Sequence, residues 1–256
     1  MPESSRRQTA AAMIVLGGHT IGTAVAIAAR RAGYRVVVCD GVDPPWSRRG
    51  QSFTNAWYLG NAEVDGEAAQ FCASVKSIPS VLERRNLVAA TTWSWQGVAA
   101  ALAARVLVDT RADGERAMLR DVAPEGLLTV GVGRVDPGVH VHIAAGGVGA
   151  DDGIRTVAAG SAGRFPTARR IGDRVLAGET VGAIGNASVM APCSGVLLGL
   201  SARGARLAAG QTVVEVDPAG CPARCFQPDA RSRATAERVI ADLVAVAPPD
   251  RDFRRR

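Results

Sequence analysis

Lysine is almost absent from this chain of 256 residues: Lys76 is the only one, and the net charge of +6 is carried by arginines. They are dispersed rather than gathered into a tract, and aromatic residues make up 4% of the chain. Single-stranded nucleic acid is held on rows of stacking rings along a basic groove. We therefore expect no nucleic-acid partner, although the positive bias suits an acidic ligand. No apolar run approaches the roughly 18 residues that a membrane helix needs, and the polar start, Met1 to Arg7, lacks the pattern of a secretory leader. There are five cysteines, Cys39, Cys72, Cys193, Cys221 and Cys225, an odd number at irregular spacing. That argues against a disulfide framework. The expectation is a reducing, cytoplasmic setting without a membrane partner. Nothing in the composition fixes an oligomeric state.

What is present is apolar: 47% of residues are hydrophobic and 21% charged, enough for a sizeable core. Met13 to Leu16 is a short apolar run that ends in Gly17-Gly18, the pattern of a buried strand entering a tight turn. Ile21 to Arg31 reads as a helix stopped by Gly33. Arg35 to Cys39 is a second strand with Asp40 at its end. Asn55 to Val64 is ambiguous, and Pro79 to Val88 reads as a further strand centred on Ser80-Val81-Leu82. Trp93 to Ala104 reads as a helix, and Val106 to Asp109 and Leu127 to Val132 as strands. Alternating strands and helices predict α/β class with a doubly wound parallel sheet, that is, a Rossmann-like domain over 12–150.

From Arg164 the helical periods give way to short alternating segments separated by Gly, Asn and Asp. Gly172, Val175, Gly178 and Val181 recur as Gly204, Leu207, Gly210 and Val213, with glycines suited to tight turns and apolar residues pointing inward. Between the copies, Ala191-Pro192-Cys193-Ser194-Gly195 resembles the "Ala-Pro-x-x-Gly" segment of biotinyl and lipoyl domains. The resemblance implies a small β-hammerhead over 164–218. Attachment of biotin or lipoate needs a lysine amine, and no lysine lies between Arg164 and Asp217. Biotin or lipoate attachment at the usual place is thereby excluded, leaving docking, handling of a metal cluster, or plain packing. A C-terminal helix follows within 230–247, with Val239, Ile240, Leu243 and Val244 on its apolar side.

The segment Gly17-Gly18-His19-Thr20-Ile21-Gly22 joins a strand to a helix, where main-chain N–H groups can receive a phosphate. Asp40 stands where a ribose-binding acid is expected. The tight turn is equally explained by close strand-to-helix packing, and His19 by a surface position without a role. Val139-His140-Val141-His142 alternates, so a strand would place both histidines on one side. They suit a polar pocket wall, or a metal site with Asp109 or Asp136. Cys221 and Cys225 lack the second pair that a zinc knuckle needs, and read as structural. Cys39 and Cys72 read as buried and inert.

Further segments resemble the selenium-dependent molybdenum hydroxylase accessory proteins, the YqeB-like group. Trp46-Ser47-Arg48-Arg49-Gly50-Gln51-Ser52-Phe53 is similar to that family's "Ile-Arg-Arg-x-Val-Ser-Phe", and Ala56-Trp57-Tyr58-Leu59-Gly60 to its "Ala-Val-Tyr-x-Gly". Val106 to Arg111 resembles "Val-Leu-Val-Asp-Ala-Arg", Val132 to His142 its "Gly-Pro-Gly-Phe-x-Ala-Gly-x-Asp-Val-His", and Val214 to Pro218 its "Asp-Ile-Asp-Pro". The Gly-Pro-Gly-Phe element is here Gly133-Arg134-Val135, and the Arg-Gly-His segment after the histidine is replaced by Ala144 to Gly147.

The resemblance implies an accessory protein that handles or inserts a nucleotide-bearing, molybdopterin-type cofactor for a client metalloenzyme. On that reading Gly17, Gly18 and Gly22 receive phosphate and Asp40 a ribose hydroxyl. Arg48, Arg49 and Arg111 meet anionic groups, and Asp109, His140 and His142 line the cleft. An NAD(P)-dependent oxidoreductase or small-molecule transferase using the same turn, and a non-catalytic docking scaffold, are the alternatives.

Overall fold

A computed structural model describes residues 12–84, 86–111, 126–132, 142–143 and 153–249. The first half is a mixed α/β layer structure. In chain order it comprises β1 (Ala12–Leu16), α1 (Thr20–Ala32), β2 (Arg35–Cys39), α2 (Asn55–Leu59), β3 (Asn61–Val64), β4 (Glu67–Phe71), α3 (Ile78–Leu82), β5 (Leu87–Thr91), α4 (Trp95–Leu102), β6 (Val106–Asp109), β7 (Leu128–Val132) and β8 (His142–Ile143). The eight strands lie in the order β3-β4-β5-β2-β1-β6-β7-β8, and every pair is parallel except β3 with β4.

Central strands buried on both faces are apolar at every position. In β1, Met13 and Val15 join the cluster under α1, while Ile14 and Leu16 join the opposite cluster with residues of α3 and α4. Helix α1 is rich in alanine and ends where Gly33 adopts φ +102°, its N–H reaching the carbonyls of Ala29 and Arg30.

One sequence expectation is corrected. Ser80-Val81-Leu82 is not a strand but part of α3, and the strand begins only at Leu87. Buried Ile78, Val81 and Leu82 follow i, i+3, i+4 spacing, and Pro79 sits in the first turn, where its missing N–H costs nothing. The ambiguous stretch from Asn55 resolves into α2, closed by Gly60 at φ +82°, and β3.

The second half contains β9 (Arg155–Ala158), β10 (Gly163–Arg164), β11 (Arg174–Val175), β12 (Thr180–Ile184), β13 (Ala187–Met190), β14 (Gly195–Leu200), β15 (Arg206–Leu207) and β16 (Thr212–Asp217). They form a sheet β11-β14-β16-β9 and two hairpin-sized pairs, β10-β15 and β12-β13, around a separate core that includes fully buried Phe165 and Leu197. The internal repeat is geometric as well as textual. Gly172 and Gly204 have φ +92° and +78°, and Gly178 and Gly210 have +76° and +81°. Val175, Leu207, Val181 and Val213 are all buried. Glu179 and Gln211 each accept, through the side chain, the N–H three residues earlier.

Helix α5 (Ala230–Val246), capped by the Asp229 carboxylate on the Ser232 N–H, returns to the first half. Its Ala236, Val239, Ile240 and Leu243 enter the core beside α1, and the Tyr34 hydroxyl donates to the Ala247 carbonyl at 2.6 Å. Among the described residues no helix is long and apolar enough to cross a membrane.

Candidate functional site

The sheet order puts β2 on one side of β1 and β6 on the other, so the connections leaving β1 and β2 run in opposite directions from β1's carboxyl end. Such reversals open a crevice at the strand ends. Register levels those ends: Thr91, Cys39, Leu16, Asp109, Gly131 and His142 form one row across the sheet. Asp40 and the Gly17–Gly22 turn follow directly from this row. His142 shares the edge, but β8 lies three strands from β1, about 14 Å away at the usual strand spacing. His140 and Asp136 lie outside the described residues.

The turn is tied down by its own neighbours. Gly17 adopts φ +93° and donates to the Cys39 carbonyl at 2.9 Å. Gly18 N–H donates to Asp40 Oδ2 at 2.6 Å, and Gly41 N–H to Asp40 Oδ1 at 2.7 Å. Of the three glycine amides expected to receive phosphate, those of Gly17 and Gly18 are thus engaged within the chain. The amides of Thr20, Ile21 and Gly22 precede the first intrahelical bond, Thr23 N–H to the His19 carbonyl, and are the ones a helix start presents to an anion. Gly22 serves the packing: a Cβ there would stand 1.8 Å from the Gly17 oxygen.

His19 and Trp46 cover this turn. His19 Nε2 donates to the Thr110 carbonyl at 2.8 Å, and its ring lies 5.2 Å from that of Trp46, tilted by 43°. Trp46 Nε1 donates to Thr20 Oγ1 at 3.2 Å. Thr110 in turn anchors its hydroxyl on the Leu16 carbonyl. From below, Thr23 and Thr54 hydroxyls donate to the Gly18 carbonyl, and the Trp57 ring packs at 3.2 Å from where a Gly18 Cβ would be. Trp57 Nε1 is buried, with no acceptor among the described residues. Sequence reasoning missed Thr110, Thr23, Thr54 and the two tryptophans as parts of the site. Their polarity beside an apolar strand end was the available signal, but nothing local says that the segment 44–57 folds back over the turn.

The arginines expected to meet a ligand find partners inside the chain. Arg48 Nε donates to Glu215 Oε2 at 2.7 Å, and the Ser47 hydroxyl donates to the same carboxylate. Arg49 donates to the Leu200 carbonyl at 2.9 Å and to Asn55 Oδ1 at 2.5 Å. Burial pushes the Arg49 guanidinium below its ordinary range. Both guanidiniums tie the α/β part to β14 and β16. Arg111 folds onto Asp109, giving it three donors at 2.9–3.0 Å. That buried carboxylate has little acceptor capacity left.

Among the described residues, no three His, Cys, Asp or Glu side chains are grouped as a metal site. Cys225 is buried, its thiol pushed up by burial, while Cys221 is exposed.

No family model matches the chain, and no curated protein matches it. Two solved structures align with 81% of it. One is succinylglutamatedesuccinylase/aspartoacylase from Rhodobacter sphaeroides, at 17% identity and TM-score 0.22. The other is the product-bound ectoine utilization protein EutE (DoeB) from Ruegeria pomeroyi, at 15% identity and TM-score 0.23. The chain spans about half the length of each, 52%.

Proposed function

We propose that this chain is an accessory protein that binds a nucleotide-bearing cofactor, of molybdopterin type, at the carboxyl ends of β1, β2 and β6 and delivers it to a client metalloenzyme of molybdenum hydroxylase type. The observation that carries the nucleotide part is the placement of the Gly17 turn, the start of α1 and the Asp40 carboxylate together at the reversal point of a parallel sheet. The order β5-β2-β1-β6-β7, with β2 and β6 flanking β1, supports reading this part as a Rossmann-like dinucleotide domain. On this reading 12–150 is the nucleotide domain, 164–218 a lysine-free hammerhead, and the helix within 230–247 a return strap over α1. The client and the cofactor type rest on the family resemblance quoted above.

The fit is specific about which groups would hold a ligand. Phosphate would meet the first-turn amides of α1, with His19 and Trp46 displaced or stacked beside it. The Trp57 ring, whose benzo edge packs against Gly18, would form one apolar wall of the site. Asp40 would exchange its bond to Gly18 for a ribose hydroxyl. The Gly17-x-His19-x-x-Gly22 spacing has histidine where dinucleotide domains keep a glycine clear for pyrophosphate. That favours cofactor handling over tight use of NAD(P) in a redox cycle.

Calorimetric titration of the full chain with NAD, CTP and a pterin nucleotide tests the reading. Saturable binding of CTP or the pterin nucleotide without turnover, weakened in Asp40→Ala, is the expected result. Binding of none of the three sinks the nucleotide reading. Turnover with reduced nicotinamide would favour the oxidoreductase instead.

A further inference from the structure

A second place gathers positive charge, on the β-rich half. In the β10–β15 pair, Gly163 lies opposite Leu207 and Arg164 opposite Arg206. Side chains alternate faces along a strand. Leu207 and Phe165 point inward and are buried, so Arg164 and Arg206 both turn outward on the same face, and both are exposed. Directly opposed residues of an antiparallel pair hold their Cβ atoms about 5 Å apart, and like charges so placed repel.

Other arginines of this chain meet carboxylates: Arg30 and Arg31 reach Glu67, Arg48 reaches Glu215, Arg111 reaches Asp109 and Arg169 reaches Glu179. Among the described residues neither Arg164 nor Arg206 has such a partner. Arg164 Nη1 donates instead to the carbonyl of Gly204, in the turn before β15, at 3.1 Å. The two side chains, with Ala162, Gly163 and Leu207, line an open groove of about 490 Å³.

The geometry points to an oxyanion clamp: Arg164 and Arg206 together hold one phosphate or carboxylate group through their planar forks. An anion between them converts a repelling cross-strand pair into a bridged one, and guanidinium groups match such oxygens two at a time. The group comes either on a small free molecule or on an acidic segment of a partner chain. Both present the same oxygens. The clamp stands on the strand register and the unpaired charges, and does not depend on the nucleotide reading.

The test uses the ¹⁵N-labelled full chain and the arginine Nε–Hε resonances, titrated separately with inorganic pyrophosphate and with a hexaglutamate peptide. The clamp predicts a saturable shift of the Arg164 and Arg206 signals. Affinity should fall at least tenfold in Arg206→Gln and in Arg164→Gln, with no change in Arg203→Gln, an exposed arginine outside the groove. Among the described residues the Arg206 side chain makes no hydrogen bond, so Arg206→Gln stays informative if Arg164→Gln unfolds. Saturation by pyrophosphate assigns a free oxyanion, and saturation by the peptide alone assigns an acidic chain segment. No saturation by either, or an equal loss in Arg203→Gln, reduces the site to a diffuse basic surface and overturns the clamp.

Discussion

Replacing Gly22 with alanine should unfold this protein more readily, although alanine is the better helix former. Two opposing effects can be weighed. Within α1 the change favours the helix by about 1 kcal/mol. Against it, the new Cβ would stand 1.8 Å from the Gly17 oxygen, 2.8 Å from Thr110 Oγ1 and 3.0 Å from the Gly17 carbonyl carbon. Relief requires the helix start and the turn to separate by more than an ångström. Neither is free to move. Thr20, Gly22, Thr23, Ala24, Val25, Ala26, Ile27 and Ala29 of α1 are buried, and the turn is held by Cys39, Asp40 and Thr54.

Overpacking of this kind costs about 1–3 kcal/mol and more where the backbone cannot yield. Taking the upper end of that range against the helix gain of about 1 kcal/mol, we expect a net loss of about 2 kcal/mol, read by urea denaturation, and a melting point lower by roughly 4–8 °C for a chain of this size. Gly41→Ala is the control, because its Cβ would meet nothing within 4 Å and its backbone is not left-handed. A Gly22→Ala midpoint at or above that of the wild type would refute the close approach and, with it, the geometry assigned to the turn.

Glu215→Ala should cost about 2–3 kcal/mol, because it leaves the half-buried Arg48 and the buried Ser47 without their acceptor. Faster proteolysis within 41–52 than in Glu215→Gln is the companion readout; equal rates would argue against the tie. Stability should also fall at alkaline pH. Burial raises the Cys39 thiol from 9.0 to about 12, so above pH 9 the unfolded chain loses a proton that the folded chain keeps. Between pH 9 and 12 this should remove on the order of 1 kcal/mol per pH unit. Cys39→Ala should flatten that slope, and an unchanged slope would show that other groups set it. At neutral pH a thiol reagent followed by mass spectrometry should modify exposed Cys221 first, and buried Cys39, Cys72 and Cys225 only after unfolding. Early labelling of Cys39 would contradict its burial in β2.

Much of this architecture was legible in the sequence where the signal is local. The strands β1, β2 and β6 announce themselves as short apolar runs, since a strand buried on both faces keeps polar residues to its ends, here Arg35 and Asp109. The repeat around Gly172 and Gly204 is legible because left-handed turns select glycine. Asp40 is legible as the polar residue that ends an apolar strand. The stretch around Ser80 misled because three apolar residues in a short window fit either period, and only their burial at helical spacing decides.

The chain order of residues thus settled that β1, β2 and β6 are strands, where glycine permits the turns, and that no lysine stands ready on the β-rich half for acylation. The fold decided what those segments do to one another. It brought Thr110 onto His19 across 91 residues and Ala247 onto Tyr34 across 213. It turned Arg48 and Arg49 toward β14 and β16 rather than toward the crevice. The physical reason is that periodicity and turn chemistry act over a few residues. The partner of a buried charge, by contrast, is whichever group the packed layers place within about 3 Å of it.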